Sequence, residues 1–305
     1  MTNTTISSAQ SLKNKQAAIT EMVTRMVPAA GDHPTLIPGL TLHRRNSVTE
    51  PLHCIYSLSL SFVIQGEKKI YLGDEVLNCR QGQSMLTTLD LPVVSHVSKA
   101  SPQKPFLAVL IKLDPTLIFA INAEMELPKP SRDWTYRTLS CEDYDAGLCD
   151  AVLRLVHSLG DPALVEHIAP LIQKEIIIRL LKGPHARNLR MLVSQGSPSE
   201  HIANTVAWLK VHFKESISMD ELAERSHMSA STFRQHFKTI TGLSPLQYQK
   251  QLRLQEARDL MLSQNMDASF ASSQVGYESA SQFSREYSRL FGASPSADMK
   301  KFRGS

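Results

Sequence analysis

The sequence predicts a two-domain α+β chain, with a β-rich N-terminal half flanked by helices and an all-α C-terminal half carrying two helix-turn-helix units. Three observations lead there. A repeat near the C-terminus aligns without gaps: SASTFRQHFKTITGLSP at 229–245 and SASQFSREYSRLFGASP at 279–295. Short apolar runs separated by glycine turns fill residues 28–113. Between these regions, residues 141–182 show helical apolar spacing.

In chain order, residues 1–27 read as a polar, helical N-terminal extension. Its opening MTNTTISSAQ lacks the apolar stretch of a secretion signal. TLHRR alternates as a strand should. YSLSLSFVI, at 56–64, continues the alternation, and QGEKK after it reads as a hairpin turn. KIYLG, a GDEV turn, VLNC, a QGQ turn and SMLTTL keep the rhythm, and PFLAVLIKL reads as a buried strand. Many short strands with regular turns predict an antiparallel barrel or sandwich. Residues 141–160 are then expected to form one helix through Tyr144, Leu148, Val152, Leu155 and Leu159, broken by Asp161-Pro162 before a second, strongly apolar helix. Residues 183–198, with Gly183, Pro184, Gly196 and Pro198, read as a linker that lets two domains reorient, with room for a short helix inside it.

The C-terminal part, 199–303, carries its own capping signals and is expected to fold alone. Ser218 and Glu221 form an S-x-x-E capping pattern. Leu222, Ala223 and Ser226 fall on one face of the helix that follows. Phe270, Ala271, Ser272 and Val275 play the same parts in the second copy, where Gly276 suits the tight turn. Each copy is therefore helix, turn, helix, at about 218–240 and 267–291. Ser244 and Pro245 start a long connecting helix to Met261.

These residues carry a family resemblance. LAERSHMSASTFRQHFK, TGLSPLQY, RLQEAR and VGYESASQFSREYSRLFGASP, in this order and spacing, resemble the DNA-binding region of the AraC/XylS family of bacterial transcription regulators. One departure is Ser272, where the family usually has alanine. IPGLTLHRR, YSLSLSFVIQGEKKIYLGDEV and the DLPV segment resemble the cupin-like N-terminal domain of one subgroup. The resemblance implies seven C-terminal helices, two of them laid in successive major grooves of double-stranded DNA. It also implies a small-molecule effector in the barrel of residues 28–182, and a homodimer contact through the helices of 141–182. RNA polymerase is a further candidate partner.

Helical periodicity sorts the recognition faces. Phe233, Phe237 and Ile240 form the buried stripe of the first, and Ser231, Arg234, Gln235 and Lys238 lie opposite. The second unit presents Ser281, Ser284, Arg285 and Ser288, with Gln282 at the edge. Arginine pairs bidentately with guanine and glutamine with adenine. Ser231, Arg234, Gln235, Ser281, Gln282 and Arg285 are therefore the candidate base contacts. Lys238, Lys250 and Arg289 are the candidate backbone contacts, which position without reading sequence.

Composition narrows the other classes. The formal net charge is +4, too mild for nonspecific polyelectrolyte binding. No apolar run is long enough for a membrane span. The four cysteines, Cys54, Cys79, Cys141 and Cys149, lack metal-ligand spacing and read as reduced thiols of a cytoplasmic, nucleoid-associated protein. His43, His53 and His96 are widely separated, without the His-x-His of metal-binding cupins, so neither metal nor cofactor is expected. No catalytic motif appears. Cys54, beside the barrel mouth, is a candidate sensor of electrophiles or oxidants, against its plainer reading as a small buried hydrophobe. Three function classes follow: an effector-gated regulator, a regulator whose barrel only dimerises, and a barrel enzyme fused to a DNA-binding domain.

Overall fold

The computed structural model describes residues 2–125, 127, 136–194 and 196–303. Among these residues, the N-terminal domain shows ten strands in two antiparallel sheets. The first sheet has the order β1 (Gly31–Pro34), β2 (Leu40–Arg45), β9 (Phe106–Lys112), β4 (Ser59–Gln65), β7 (Gln83–Thr87) and β10 (Leu139–Asp143). The second has the order β3 (Leu52–Tyr56), β8 (Leu91–Lys99), β5 (Glu67–Leu72) and β6 (Glu75–Arg80). The sheets face each other over a shared core that includes Val63, Ile70, Val93, Val97 and Phe106. Among the described residues, hydrogen bonding does not close them into a barrel, so the sandwich alternative describes the domain better.

The central strands β9, β4 and β7 of the six-stranded sheet are buried on both faces, which explains their continuous apolar runs. In β4, Leu60, Phe62 and Ile64 point towards helices while Ser59 and Ser61 line the space between the sheets. The helices on its outer face are α1 (Thr2–Met26), α2 (Pro115–Glu124), α3 (Ala146–His157) and α4 (Pro162–Lys182). The N-terminal extension is thus part of this domain's core: Ile19 and Val23 of α1 are fully buried. Asp161 caps α4 and Pro162 takes its first turn, where a missing N–H costs nothing.

Several boundaries differ from expectation. Cys141–Asp143 belong to β10 rather than to a helix, because Leu139–Asp143 pair with Thr87–Gln83 of β7. YSLSLSFVI is interrupted at Ser57-Leu58, where the chain leaves one sheet and enters the other. The QGEKK turn shrinks to Gly66, whose φ of 82° suits glycine, and Glu67, Lys68 and Lys69 already lie in β5.

The described part of segment 183–198 holds a packed helix at its centre. Its α5 (Ala186–Leu192) buries Leu189 in the N-terminal core, and His185 is buried between the Ser84 and Ser140 hydroxyls, at 3.0 Å from each. It anchors the connection instead of freeing it.

Among the described residues, seven helices follow: α6 (Pro198–His212), α7 (Met219–Arg225), α8 (Ala230–Thr241), α9 (Pro245–Ser263), α10 (Ala268–Gln274), α11 (Ala280–Phe291) and α12 (Pro295–Arg303). Ser218 accepts the Glu221 N–H, while Ser244 and Gln247 form a full reciprocal capping box. Gly242 and Gly292 end α8 and α11 in the left-handed conformation. Ser272 fits the close packing of α10: it is buried, and its hydroxyl donates to the Ser269 carbonyl at 2.7 Å. The apolar core of these helices also takes in Leu89 and Tyr136 from the N-terminal domain, so that core is not wholly self-supplied.

Candidate functional site

The recognition faces build up from the repeat. Phe233 and Phe237 of α8, and Phe283 and Tyr287 of α11, are buried at matching positions. Their burial turns the opposite faces outward. Ser231, Arg234, Gln235 and Lys238 are exposed on α8, and Ser281, Gln282, Arg285 and Arg289 on α11. Among the described residues, Arg234, Lys238, Arg285 and Arg289 make no ion pair. The serines differ: the Ser231 hydroxyl lies 3.1 Å from the capping Ser229 hydroxyl, and that of Ser281 lies 2.9 Å from Ser279. Both hydroxyls therefore sit within helix-start networks.

Lys250 stands apart from the other candidate cations. Its Nζ lies 2.9 Å from Glu286 Oε1, tying α9 to α11. Glu286 also accepts from the Tyr277 hydroxyl at 2.7 Å and from Gln282 at 3.4 Å. Burial opposes the Glu286 charge, but Lys250, Tyr277 and Gln282 outweigh it and hold the carboxyl below its usual range. The connecting helix α9 has 19 residues, a rise of about 28 Å. Successive major-groove faces lie about 34 Å apart.

A second feature lies between the sheets of the N-terminal domain: a cavity of about 370 Å³. Cys54 and Tyr56 of β3, Lys68 of β5, Ser95 of β8, Met85 of β7 and Phe106 of β9 all line it. Asp32, at the rim, is 2.6 Å from both His43 Nδ1 and Arg45 Nη2, and these partners hold its carboxyl far below the carboxylate range. Cys54 does line the cavity, with Sγ 3.5 Å from Ser95 Oγ. Burial pushes its thiol pKa up, which works against the thiolate that redox or electrophile chemistry needs. Cys79 and Cys141 are brought together across the sheets' edge, and their mutual hydrogen bond raises the Cys141 pKa. Among the described residues, no three His, Cys, Asp or Glu side chains are grouped to hold a metal ion.

Strand β3 connects this cavity to the C-terminal domain. Among the described residues it is the edge of its sheet, paired only with β8. Cys54 and Tyr56 face the cavity, His53 faces the C-terminal helices, and Ile55 touches both, bordering the cavity and packing on the C-terminal side. The His53 ring meets Phe291 edge-on at 5.4 Å, and Ile55 packs on the C-terminal apolar core. Burial, then the nearby Arg258 charge, push the His53 pKa down. Around this strand, Tyr248 of α9 donates to the Asp90 carbonyl at 2.6 Å, and Lys210 pairs with the Asp90 carboxylate at 3.0 Å. Thr138 donates to the Ile240 carbonyl at 2.8 Å. Sequence reading found Cys54 but missed Lys68, Tyr56 and the interdomain residues. The one available signal was a lysine in register with the inward-facing Ile70 and Leu72.

A β-sandwich with a cavity between its sheets, joined to paired helix-turn-helix units, defines a class: two-domain helix-turn-helix proteins with an N-terminal pocket. The chain belongs to the AraC-type transcriptional regulators. The family model described as "AraC-type transcriptional regulator N-terminus" matches residues 36–188, and a "Helix-turn-helix domain" model matches residues 222–301. The HTH-type transcriptional activator RhaS of Escherichia fergusonii is 27% identical over 144 residues, 47% of this chain and 51% of RhaS. RhaS of Escherichia coli strain SE11 is 30% identical over 114 residues, covering 35% and 41%. The matched region thus spans about half the length of these curated relatives. Among solved structures, apo ToxT from Vibrio cholerae aligns with a TM-score of 0.58 at 10% identity, covering 87% of this chain and 98% of ToxT. The unsaturated fatty acid-bound form of ToxT aligns at 0.57 and 9%, covering 89% and 97%. At such identities the likeness is one of fold. Among the described residues, no helix is long and apolar enough to cross a membrane.

Proposed function

We propose that the protein is a sequence-specific DNA-binding transcription regulator whose N-terminal domain senses a small effector and gates promoter binding. Strand β3 is the observation that carries this reading. One face of a five-residue edge strand lines the cavity, and the other carries the C-terminal domain. An occupant that displaces Cys54 or Tyr56 moves a strand held by hydrogen bonds on one side only. The shift passes to His53, Ile55 and so to α9 and Phe291. A ligand changes DNA affinity only through such a difference between two arrangements.

Family membership supports DNA as the partner. Arg234, Gln235, Gln282 and Arg285 are assigned to bases, and Lys238 and Arg289 to phosphates. Lys250 is free for phosphate only if it leaves Glu286. Leu164, Ile168 and Leu171 form an exposed apolar stripe on α4 beside a groove of about 620 Å³, which supports a homodimer contact there. A cytoplasmic location and a contact with RNA polymerase belong to the same reading. The fatty-acid-bound state of ToxT supports a ligand within a fold of this kind.

The test is Ile55→Asp in the full chain. The substitution places a charge between β3 and the C-terminal core. DNA affinity should change by roughly tenfold, since desolvating an unpaired carboxylate outweighs a contact of this size. A melting curve checks that the domain stays folded. A folded variant that binds DNA like the parent would separate β3 from gating.

A further inference from the structure

We propose that the cavity between the sheets takes a compact carboxylic acid, its carboxylate held by Lys68 and Tyr56 and its hydrocarbon body resting on Met85, Phe106 and Leu110. The proposal rests on the effector-site reading of the N-terminal domain and names the class of effector.

Lys68 sets the problem. It occupies the inward face of β5, in one row with the buried Ile70 and Leu72. Its Nζ lies 4.9 Å from the centroid of the Tyr56 ring. Among the described residues, no carboxylate comes within ion-pair distance of that ammonium. The nearest rim acid, Asp32, is already shared by His43 and Arg45, and Glu50 at the rim forms no pair with Lys68. The Tyr56 hydroxyl oxygen is buried beside Lys68 and Ser95 but meets neither at full hydrogen-bonding geometry. Burial pushes the Tyr56 and Cys54 pKa values up, so both are neutral near pH 7 and neither balances the lysine.

An interior cation without an anion is costly, and a buried hydroxyl short of a full hydrogen bond adds to that cost. Both groups donate: an ammonium has only donors, and the phenol can turn its O–H towards an acceptor. An ionised carboxylate only accepts, and its two oxygens can take one bond from each. A single cation matches a monoanion; a phosphate dianion would leave charge unmet. The cavity volume of about 370 Å³ sits near the lower end of ligand sites, about 300–1,000 Å³. That suits a ring or a short branched chain.

The test uses the full-length protein with cyclohexanecarboxylate, 4-methylpentanoate and their primary amides, followed by calorimetry and thermal melting. The acids should bind and raise Tm. The amides should bind roughly tenfold or more weakly, as expected for losing a charge-assisted bond. Lys68→Met should lower acid affinity by at least about tenfold while still melting cooperatively, and Tyr56→Phe should lower it less. If Lys68→Met does not fold, the acid–amide contrast and Tyr56→Phe still decide. Amides binding as well as acids, acid affinity unchanged in Lys68→Met, no binding by either acid, or tighter binding of palmitate than of the short acids would each overturn the proposal. DNA affinity measured alongside separates the two readings. Lys68-dependent acid binding with unchanged DNA affinity keeps the ligand class and defeats gating. A neutral sugar that binds and alters DNA affinity keeps gating and overturns the ligand class.

Discussion

Each domain packs a cation against an aromatic ring in its interior, Arg258 in one and Lys68 in the other, and these two are treated in opposite ways. In the C-terminal domain, the Arg258 guanidinium lies 4.5 Å from the Phe291 ring centroid and 4.7 Å from that of Phe302. Its Nε and Nη2 donate to the two oxygens of Asp298 at 2.9 and 3.1 Å, and Tyr287 donates to the same carboxylate at 2.7 Å. All the charge there is paired and hydrogen-bonded. In the N-terminal domain, Lys68 lies over Tyr56 with no carboxylate, and the phenol lacks a full hydrogen bond. A closed network fixes α9, α11 and α12 as one body. An open pair facing a cavity leaves chemistry for something that binds. Structure and site are thus told apart by whether their polar groups are satisfied.

The largest expected effect breaks the closed network. Asp298→Ala strands Arg258, which is 6% exposed, and should destabilise the C-terminal domain by about 3–5 kcal/mol in denaturant titration. A loss below about 1 kcal/mol would mean that Arg258 finds another partner or water.

A smaller effect comes from a buried base that is satisfied while neutral. Burial holds the His185 imidazole down at about 4, against an ordinary value of 6.5. Between these values the unfolded chain binds the proton and the folded chain does not, so stability falls as pH drops through that window. Its contribution is complete above about pH 6.5 and is lost towards pH 4, a change of roughly 3 kcal/mol. Melting of the parent and His185→Gln from pH 7 to pH 4 checks this. The variant should show a shallower decline, and an equal slope would assign the acid sensitivity to other groups.

The smallest effect is on the open pair. Lys68→Met removes an uncompensated interior charge and keeps the side-chain length. Stability should stay within about 1 kcal/mol of the parent or rise. A clear loss would show that Lys68 holds the sheets together instead of facing a ligand.

Much of the C-terminal domain was legible because its signals are local. Caps at Ser218 and Ser244, the turn glycine at 276, and the aromatic pair Phe233 and Phe237 each determine structure within a turn or two. The N-terminal domain was legible as strands and turns but not as sheets. Cys141–Asp143 became a strand only by pairing with β7, more than fifty residues earlier. Lys68 looked like part of a polar turn, since nothing nearby shows that its strand faces a cavity. The role of Lys250 depended on Glu286, which a distant helix supplies. Ile55 and His53 sit in a strand whose outer face would ordinarily meet water; only the docked C-terminal domain gives them a partner.

The most direct test of a two-unit, sequence-reading regulator is the affinity of the full chain for a selected operator and for random DNA. It is measured for the parent, Arg234→Ala and Arg285→Ala at one salt concentration. Each substitution should cost about 1–3 kcal/mol on the operator, relaxing the preference at its own base, with far less change on random DNA. Equal losses on both DNAs would make these arginines phosphate contacts and contradict the assignment of α8 and α11 as the reading helices.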